Sequence, residues 1–500
     1  MTSPEITAEQ ERIRYREQVK EAFSIKGYKP TSKESLQDFV DKMAFEPDLF
    51  IERGPSERVA VVIRETAEFD AGDWLAEQVA TRRGYLKDTI VCLLLQHAGL
   101  LGYRAIEGSL RSGVDLYTLN SSGLRLLFGP HYGGKVFRIE KETRDSVLER
   151  YSKNKRIPVA ISSSLGRVSN LEYADILRDL SADYERKRIS SHEEESKLML
   201  NYLKLIIERV PEGEKVGKAV DLLRILEELL HRDGKTRDHF FHQFLTFLLG
   251  SVAIDANYSE MSGWYKSLFP ESPKAKLDLV WVLASHCHDL LSPFESPGLA
   301  IGAYAVSIDH RPQYIRHPAE VLNSFYIHMS REEIRCDWDL DSHRPREGPL
   351  SDILVKYANL GNHGVNMALE LVSRGLNYPP RMLSSYICPA AMAIAFHDKK
   401  IWSELIESQI FPIDVERFPI AFLLMYCDGV QEWGRPGKAF DPMGEHSALV
   451  DFKAERGKVS STLWFKDKAR ACLSKFLHDY ISDRCIKSRA ITFEVDVCSD

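Results

Sequence analysis

Between residues 237 and 436 the chain carries five stretches too apolar for a surface helix, each with a histidine or aspartate near one end. They read "RDHFFHQFLTFLLG", "ESPKAKLDLVWVLASHCHDLL", "NLGNHGVNMALELV", "CPAAMAIAFHDK" and "FPIAFLLMYCDGVQEWGRP". A helix with so wide an apolar face cannot be covered by one neighbour, so these segments must pack against one another in a helical bundle. Local signals agree. Ser272 and Pro273 suit the start of the second helix, His363 opens the third, and Pro389 and Pro419 stand at the starts of the last two. An imidazole or carboxylate carried into such an interior needs a hydrogen-bond partner or a metal.

The simplest common solution is that the helix ends converge on a metal. Imidazole mixed with carboxylate suits Mn, Fe, Ni or Zn, whereas Mg and Ca prefer oxygen shells. Each residue also has a plainer reading. His239 lies one turn from His242 and is the alternative ligand on that helix. His288 could pair with the last carbonyls of its helix. Asp428 could cap a helix or pair with Arg435, His363 could merely sit at a helix start, and His397 could form a surface pair with Asp398. His286 reads as a packed helix residue rather than a ligand.

Five hundred residues exceed one ordinary core. Residues 1–150 read as an α+β module. Amphipathic helices are expected over 5–25 and 32–45, with Ser32 as an N-cap. Strands are expected in "PDLFIERG" and "ERVAVVIRE", and a helix across "DAGDWLAEQVATRRGYLKDTIVCLLLQHAGLLG". A hairpin or meander fits "GVDLYTLNSSGLRLLFGPHYGGKVFRIEK". Residues 151–236 read as a charged helical connector, and 237–436 as the helical metal-binding domain. Residues 437–500 read as a small strand-strand-helix-strand appendage. The fold class expected is therefore multidomain, a mainly α-helical bundle flanked by two α+β modules. The net charge of −7, spread along the chain, indicates neither nucleic acid nor an anionic membrane as partner. Eight scattered cysteines without a CxxC pair suit reduced, buried thiols. The polar N-terminus "MTSPEITAEQERIRYREQ" has no apolar signal region, and no apolar run reaches membrane-spanning length. A cytoplasmic location with no membrane partner is expected.

The order His242, then His288-Asp289, then a distant Asp428 resembles the H…HD…D signature of the HD-domain superfamily of metal-dependent phosphohydrolases. "WVLASHCHDLLSP" is similar to the superfamily's HD helix, "NHGVNMAL" to its further histidine segment, and "LLMYCDGVQEWGRP" to its final-aspartate helix. The resemblance spans about residues 237–436. It implies an HD-type bundle in which His242, His288, Asp289 and Asp428 hold a first metal. Asp289 would bridge to a second, with His363 and His397 as its further ligands. One or two divalent ions, Mg included, are then the cofactor. His288 and Asp289 would be catalytic, and the substrate a phosphoester of a nucleotide or related signalling molecule. Two metals sharing a water lower its pKa toward neutrality, so no serine or cysteine nucleophile is needed. None stands in a convincing setting, and "GPHYGGKV" lacks the spacing of a phosphate-binding P-loop. Arg237, Lys356 and Arg435, each near a proposed ligand, are the cations expected to meet substrate phosphate. The flanking modules would recognise substrate, regulate, or pair copies into a homo-oligomer. Two other readings stay open: a catalytically silent HD scaffold for protein interaction or signalling, and a metal oxygenase using the same ligands. Fold alone does not choose among them.

Overall fold

The computed structural model describes residues 8–43, 45–53, 58–66, 89–97, 114–120, 123–128, 136–138, 159–186, 192–210, 239–268, 276–289, 362–375, 386–398, 418–431, 447–484 and 487–499, with a few isolated positions between them. The chain divides into two compact units, residues 1–135 with 468–476, and residues 136–467 with 477–500. Among the described residues no helix is long and apolar enough to cross a membrane.

The first unit holds helices α1 (Ala8–Ile25) and α2 (Lys33–Met43) and strands β1 (Lys29–Pro30), β2 (Leu49–Glu52), β3 (Arg58–Thr66), β4 (Thr89–His97), β5 (Asp115–Asn120) and β6 (Gly123–Phe128). The Ser32 hydroxyl accepts the Ser35 N–H at 3.2 Å, so the expected N-cap of α2 is made. The strands form one sheet in chain order, with β3–β4 and β4–β5 parallel and the other neighbours antiparallel. Strand alternation sorts the two faces. Leu49, Ile51, Val59, Val61 and Ile63 pack against Tyr15, Val19 and Phe23 of α1. Phe50, pointing the other way, meets Phe39 of α2 with ring centroids 4.8 Å apart.

One expectation fails here. The run "TIVCLLLQH", read as the end of a helix, is strand β4, lying in parallel between β3 and β5. A parallel strand inside a sheet needs no polar alternation, so an unbroken apolar run reads the same as a buried helix.

The second unit begins with β7 (Val136–Arg138), followed by α3 (Val159–Leu165), α4 (Ala174–Arg186) and α5 (His192–Ile207). The helices α6 (His239–Ala256), α7 (Tyr258–Leu268) and α8 (Leu277–Cys287) come next. After a short ladder of β8 (Trp338–Asp339) with β9 (Arg344–Pro345) come α9 (His363–Gly375), α10 (Cys388–Phe396) and α11 (Pro419–Val430). The five apolar helices pack as their faces require: α6 touches α8 and α11, α8 touches α10 and α11, and α10 touches α9 and α11. At the α6–α8 crossing, a Cβ on Gly250 would lie 2.0 Å from the Trp281 ring, so only glycine fits. The indole N–H there donates to the Phe247 carbonyl at 3.0 Å. Helix α8 begins at Leu277, later than Pro273. Lys276 before it is extended, and Asp278 in its first turn accepts the Glu172 N–H at 2.7 Å.

Part of the stretch expected as a connector packs on this bundle. Helix α3 packs on α6, and Asp255 at the end of α6 accepts the backbone N–H groups of Ser169 and Asn170. Farther along, strands β10 (Ser447–Glu455), β11 (Lys458–Phe465) and β12 (Thr492–Ser499) build with β7 a sheet ordered β10-β11-β12-β7, and helix α12 (Lys468–Arg484) lies between β11 and β12 in the chain. Val136–Arg138, expected in the N-terminal meander, pairs in parallel with β12 instead. This sheet lies against α11: Phe422 and Tyr426 stack edge-on with Phe493. The Tyr426 hydroxyl shares a hydrogen bond with Ser461 and donates to the Glu494 carbonyl, both at 3.0 Å.

Candidate metal centre

Five helix ends meet at one buried place. His242 lies in the first turn of α6, His363 is the first residue of α9, and Asp428 lies in the last turn of α11. His288 and Asp289 follow the last residue of α8. His288 is still helical, its N–H donating to the Ala284 carbonyl at 3.1 Å. His397 follows α10 in the same way. Three of the five ends are C-termini, whose unpaired carbonyls favour positive charge nearby.

The six side chains form one network centred on Asp289. Its Oδ2 lies 3.4 Å from Nε2 of His242 and 3.8 Å from Nε2 of His288. Its Oδ1 lies 3.0 Å from Nε2 of His363 and 3.8 Å from Nε2 of His397. Within each histidine pair the two Nε2 atoms are 3.3 Å apart. Asp428 joins the first pair, with Oδ1 2.9 Å from His242 Nε2. Thus His242, His288 and Asp289 form one group, and Asp289, His363 and His397 a second. In each, the candidate ligand atoms lie within 4.8 Å of one another, and the groups can hold a metal ion.

The hydrogen bonds on the far side of each ring test that fit. A carbonyl oxygen only accepts, so an Nδ1 bonded to one must carry the proton. His288 Nδ1 donates to the Ser285 carbonyl at 2.7 Å, and His397 Nδ1 to the Ile394 carbonyl at 2.5 Å. His242 Nδ1 donates to the side-chain oxygen of Gln431. Burial pushes the His288 pKa down to about 3, which the charge of Asp289 only partly opposes, so its ring is neutral. His288 therefore turns an unprotonated Nε2 toward Nε2 of His242, beside two carboxylates. A lone pair so placed is open to a cation lying among these groups. Nδ1 tied to an oxygen and Nε2 aimed inward is the arrangement metal-ligating histidines adopt.

Asn362 caps α9, accepting the Val365 N–H at 3.0 Å, while its amide donates to Asp398 at 2.7 Å. The chain beside His363 is thereby tied to the chain beside His397, and Asp398 serves this tie rather than a surface pair. Gly364 allows the close approach: a Cβ there would lie 2.9 Å from His397 Cε1 and from the Ile394 carbonyl. His286 is packed in the core, its Nδ1 donating to the Val282 carbonyl at 2.9 Å and its ring 4.7 Å from that of Phe247. Of the cations expected near substrate, Arg237 and Arg435 lie outside the described residues, as does the side chain of His239. Lys356 is described with its ammonium 5.5 Å from the Tyr357 ring centroid. Sequence reasoning passed over Asn362, Gly364 and Gln431. Gln431 had one available signal, its place one helical turn beyond Asp428.

Compared with protein-family models, curated proteins and solved structures, the chain gives no match. The fold and the site define a mostly helical protein with a buried His/Asp cluster that can hold a metal ion.

Proposed function

We propose that the cluster is a two-ion phosphohydrolase centre of HD type, acting on a phosphoester of a nucleotide or related signalling molecule. The observation that carries this reading is Asp289, a single carboxylate with one oxygen at each histidine pair. His242, His288 and Asp428 would hold one ion, His363 and His397 the other, with Asp289 between them. Mn, Fe, Ni and Zn suit this nitrogen and oxygen set better than Mg. Bound ions supply a water of lowered pKa and neutralise charge building on phosphoryl oxygens.

The chain's own residues do the rest. The Nδ1 hydrogen bonds of His242, His288 and His397 hold those rings with Nε2 turned inward, where each would face an ion. The walls of α6, α8 and α10 exclude bulk water, which strengthens every electrostatic contact inside. The side chains of His363 and Asp428 are 16% and 18% exposed, while that of His288 is fully buried, so substrate approaches on the His363–Asp428 side. Two carboxylates against two divalent ions leave the centre positive, which favours a phosphate dianion over a neutral ligand.

A silent scaffold is the competing reading. It rests on the 2.9 Å separation of His242 and Asp428, which an imidazolium–carboxylate pair would also give. Metal content and phosphate release separate the two. The wild-type chain is expected to retain transition metal and to release phosphate from a panel of nucleotides and cyclic nucleotides supplied with Mn. Asp289→Ala should lose bound metal and lower turnover about a hundredfold or more, which needs only ~2.8 kcal/mol of transition-state stabilisation. Wild-type protein that binds no metal and releases no phosphate would establish the scaffold.

A further inference from the structure

The histidines of the cluster do not solve the same problem at their second nitrogen. His288 and His397 follow the C-terminal ends of helices, where the last carbonyls have no intrahelical partner. The Ser285 and Ile394 carbonyls, each three residues back, are there for any sequence that ends a helix at those points. His242 is in the first turn of α6, at the opposite kind of end. There the unpaired groups are N–H donors, and the carbonyls point along the helix into its own ladder. For His242 the acceptor of Nδ1–H comes instead from another element. The side-chain oxygen of Gln431, a 2% exposed residue just past the end of α11, meets it. That helix end also supplies Asp428, whose carboxylate faces the other nitrogen of the same ring at 2.9 Å. His242 is thus gripped at both nitrogens by residues three apart in sequence.

We infer that Gln431 is a positioning residue of the metal centre, fixing the tautomer and orientation of His242 so that Nε2 faces the first ion. The inference rests on the two-ion reading. Without the Gln431 acceptor, the proton of His242 is free to move to Nε2, where it would block the ligand position and repel the ion. Gln431 and Asp428 also move together, so any shift of the end of α11 alters both contacts of His242.

The test is manganese titration of the full-length chain by calorimetry, with metal content measured after dialysis. Three proteins are compared: wild type, Gln431→Met, which keeps the length and loses the acceptor, and Gln431→Glu, which keeps an acceptor. Gln431→Met is expected to weaken one of the two ions by about 10- to 100-fold, the usual effect of losing such an outer partner, and to leave the other unchanged. Gln431→Glu should bind at least as tightly as wild type. Far-UV circular dichroism and the melting point of the metal-free proteins should match. If Gln431→Met does not fold, Gln431→Asn, which withdraws the amide by one methylene, takes its place. Wild-type affinity for both ions in the acceptor-deficient variant, or a Glu variant as weak as it, would overturn the inference while leaving the two-ion centre standing. A wild-type chain that takes up no manganese would overturn both.

Discussion

His286 and His288 stand two residues apart at the end of one helix, both buried and both donating Nδ1–H to a carbonyl of that helix, yet they do different work. His288 turns Nε2 into the cluster. The Nε2 of His286 is buried with no hydrogen-bond partner among the described residues, in a slot lined by Phe244 and Phe247. Burial pushes its pKa from 6.5 down to about 4. As pH falls below about 6.5 the unfolded chain takes up a proton there that the folded chain refuses until about 4. Stability therefore falls with acidity across that window. His286→Leu removes this term together with an unsatisfied buried atom of about 1–3 kcal/mol. The variant is expected to melt higher than wild type in chelator at neutral pH, and to lose less of its melting temperature between pH 7 and about pH 4.5. Equal losses in the two proteins would show that His286 does not contribute.

At the scale of elements, close approach decides which helix ends can share a site. The α9–α10 contact depends on Gly364, because a methyl group there would collide with the ring of His397 and the Ile394 carbonyl that holds it. Backbone cannot yield as a flexible side chain would, so Gly364→Ala should cost about 1–3 kcal/mol as an overpacked core does. Its sharper signature is site-specific. Displacing His397 should weaken the ion held by His363, His397 and Asp289 while sparing the one at His242, His288 and Asp428. Calorimetric titration with manganese distinguishes this from general destabilisation, which would lower both affinities together.

On the scale of the whole molecule, all six clustered residues belong to the second unit, and the C-terminal sheet of that unit holds α11 through Tyr426. Metal binding should therefore stabilise that unit selectively. An ion present at a hundred times its dissociation constant adds ~2.7 kcal/mol to whatever folds around it. Differential scanning calorimetry with and without chelator is expected to show one transition moving down on metal removal and another staying in place. A single transition that moves as a whole would mean that the units unfold as one.

The amino-acid sequence by itself determined that five apolar helices would pack together and that imidazoles and carboxylates would stand at their ends. Apolar runs too wide for a surface, with prolines at two helix starts, leave few alternatives. The strands of "LFIE" and the N-cap at Ser32 were equally legible, because alternation and capping are local properties. What the sequence could not separate was a buried central strand from a buried helix in "TIVCLLLQH". There the deciding factor, pairing with a strand on either side, is supplied by distant residues. Only the tertiary structure decided that Asp289 stands between two histidine pairs. It alone showed that strands β11 and β12 brace the helix carrying Asp428, and that the partner of His242 is a glutamine 189 positions away. Helix direction explains that last outcome. His288 and His397, at C-terminal ends, find their acceptors three residues back in their own chain, whereas His242, at an N-terminal end, takes its acceptor from another segment that the fold brings close.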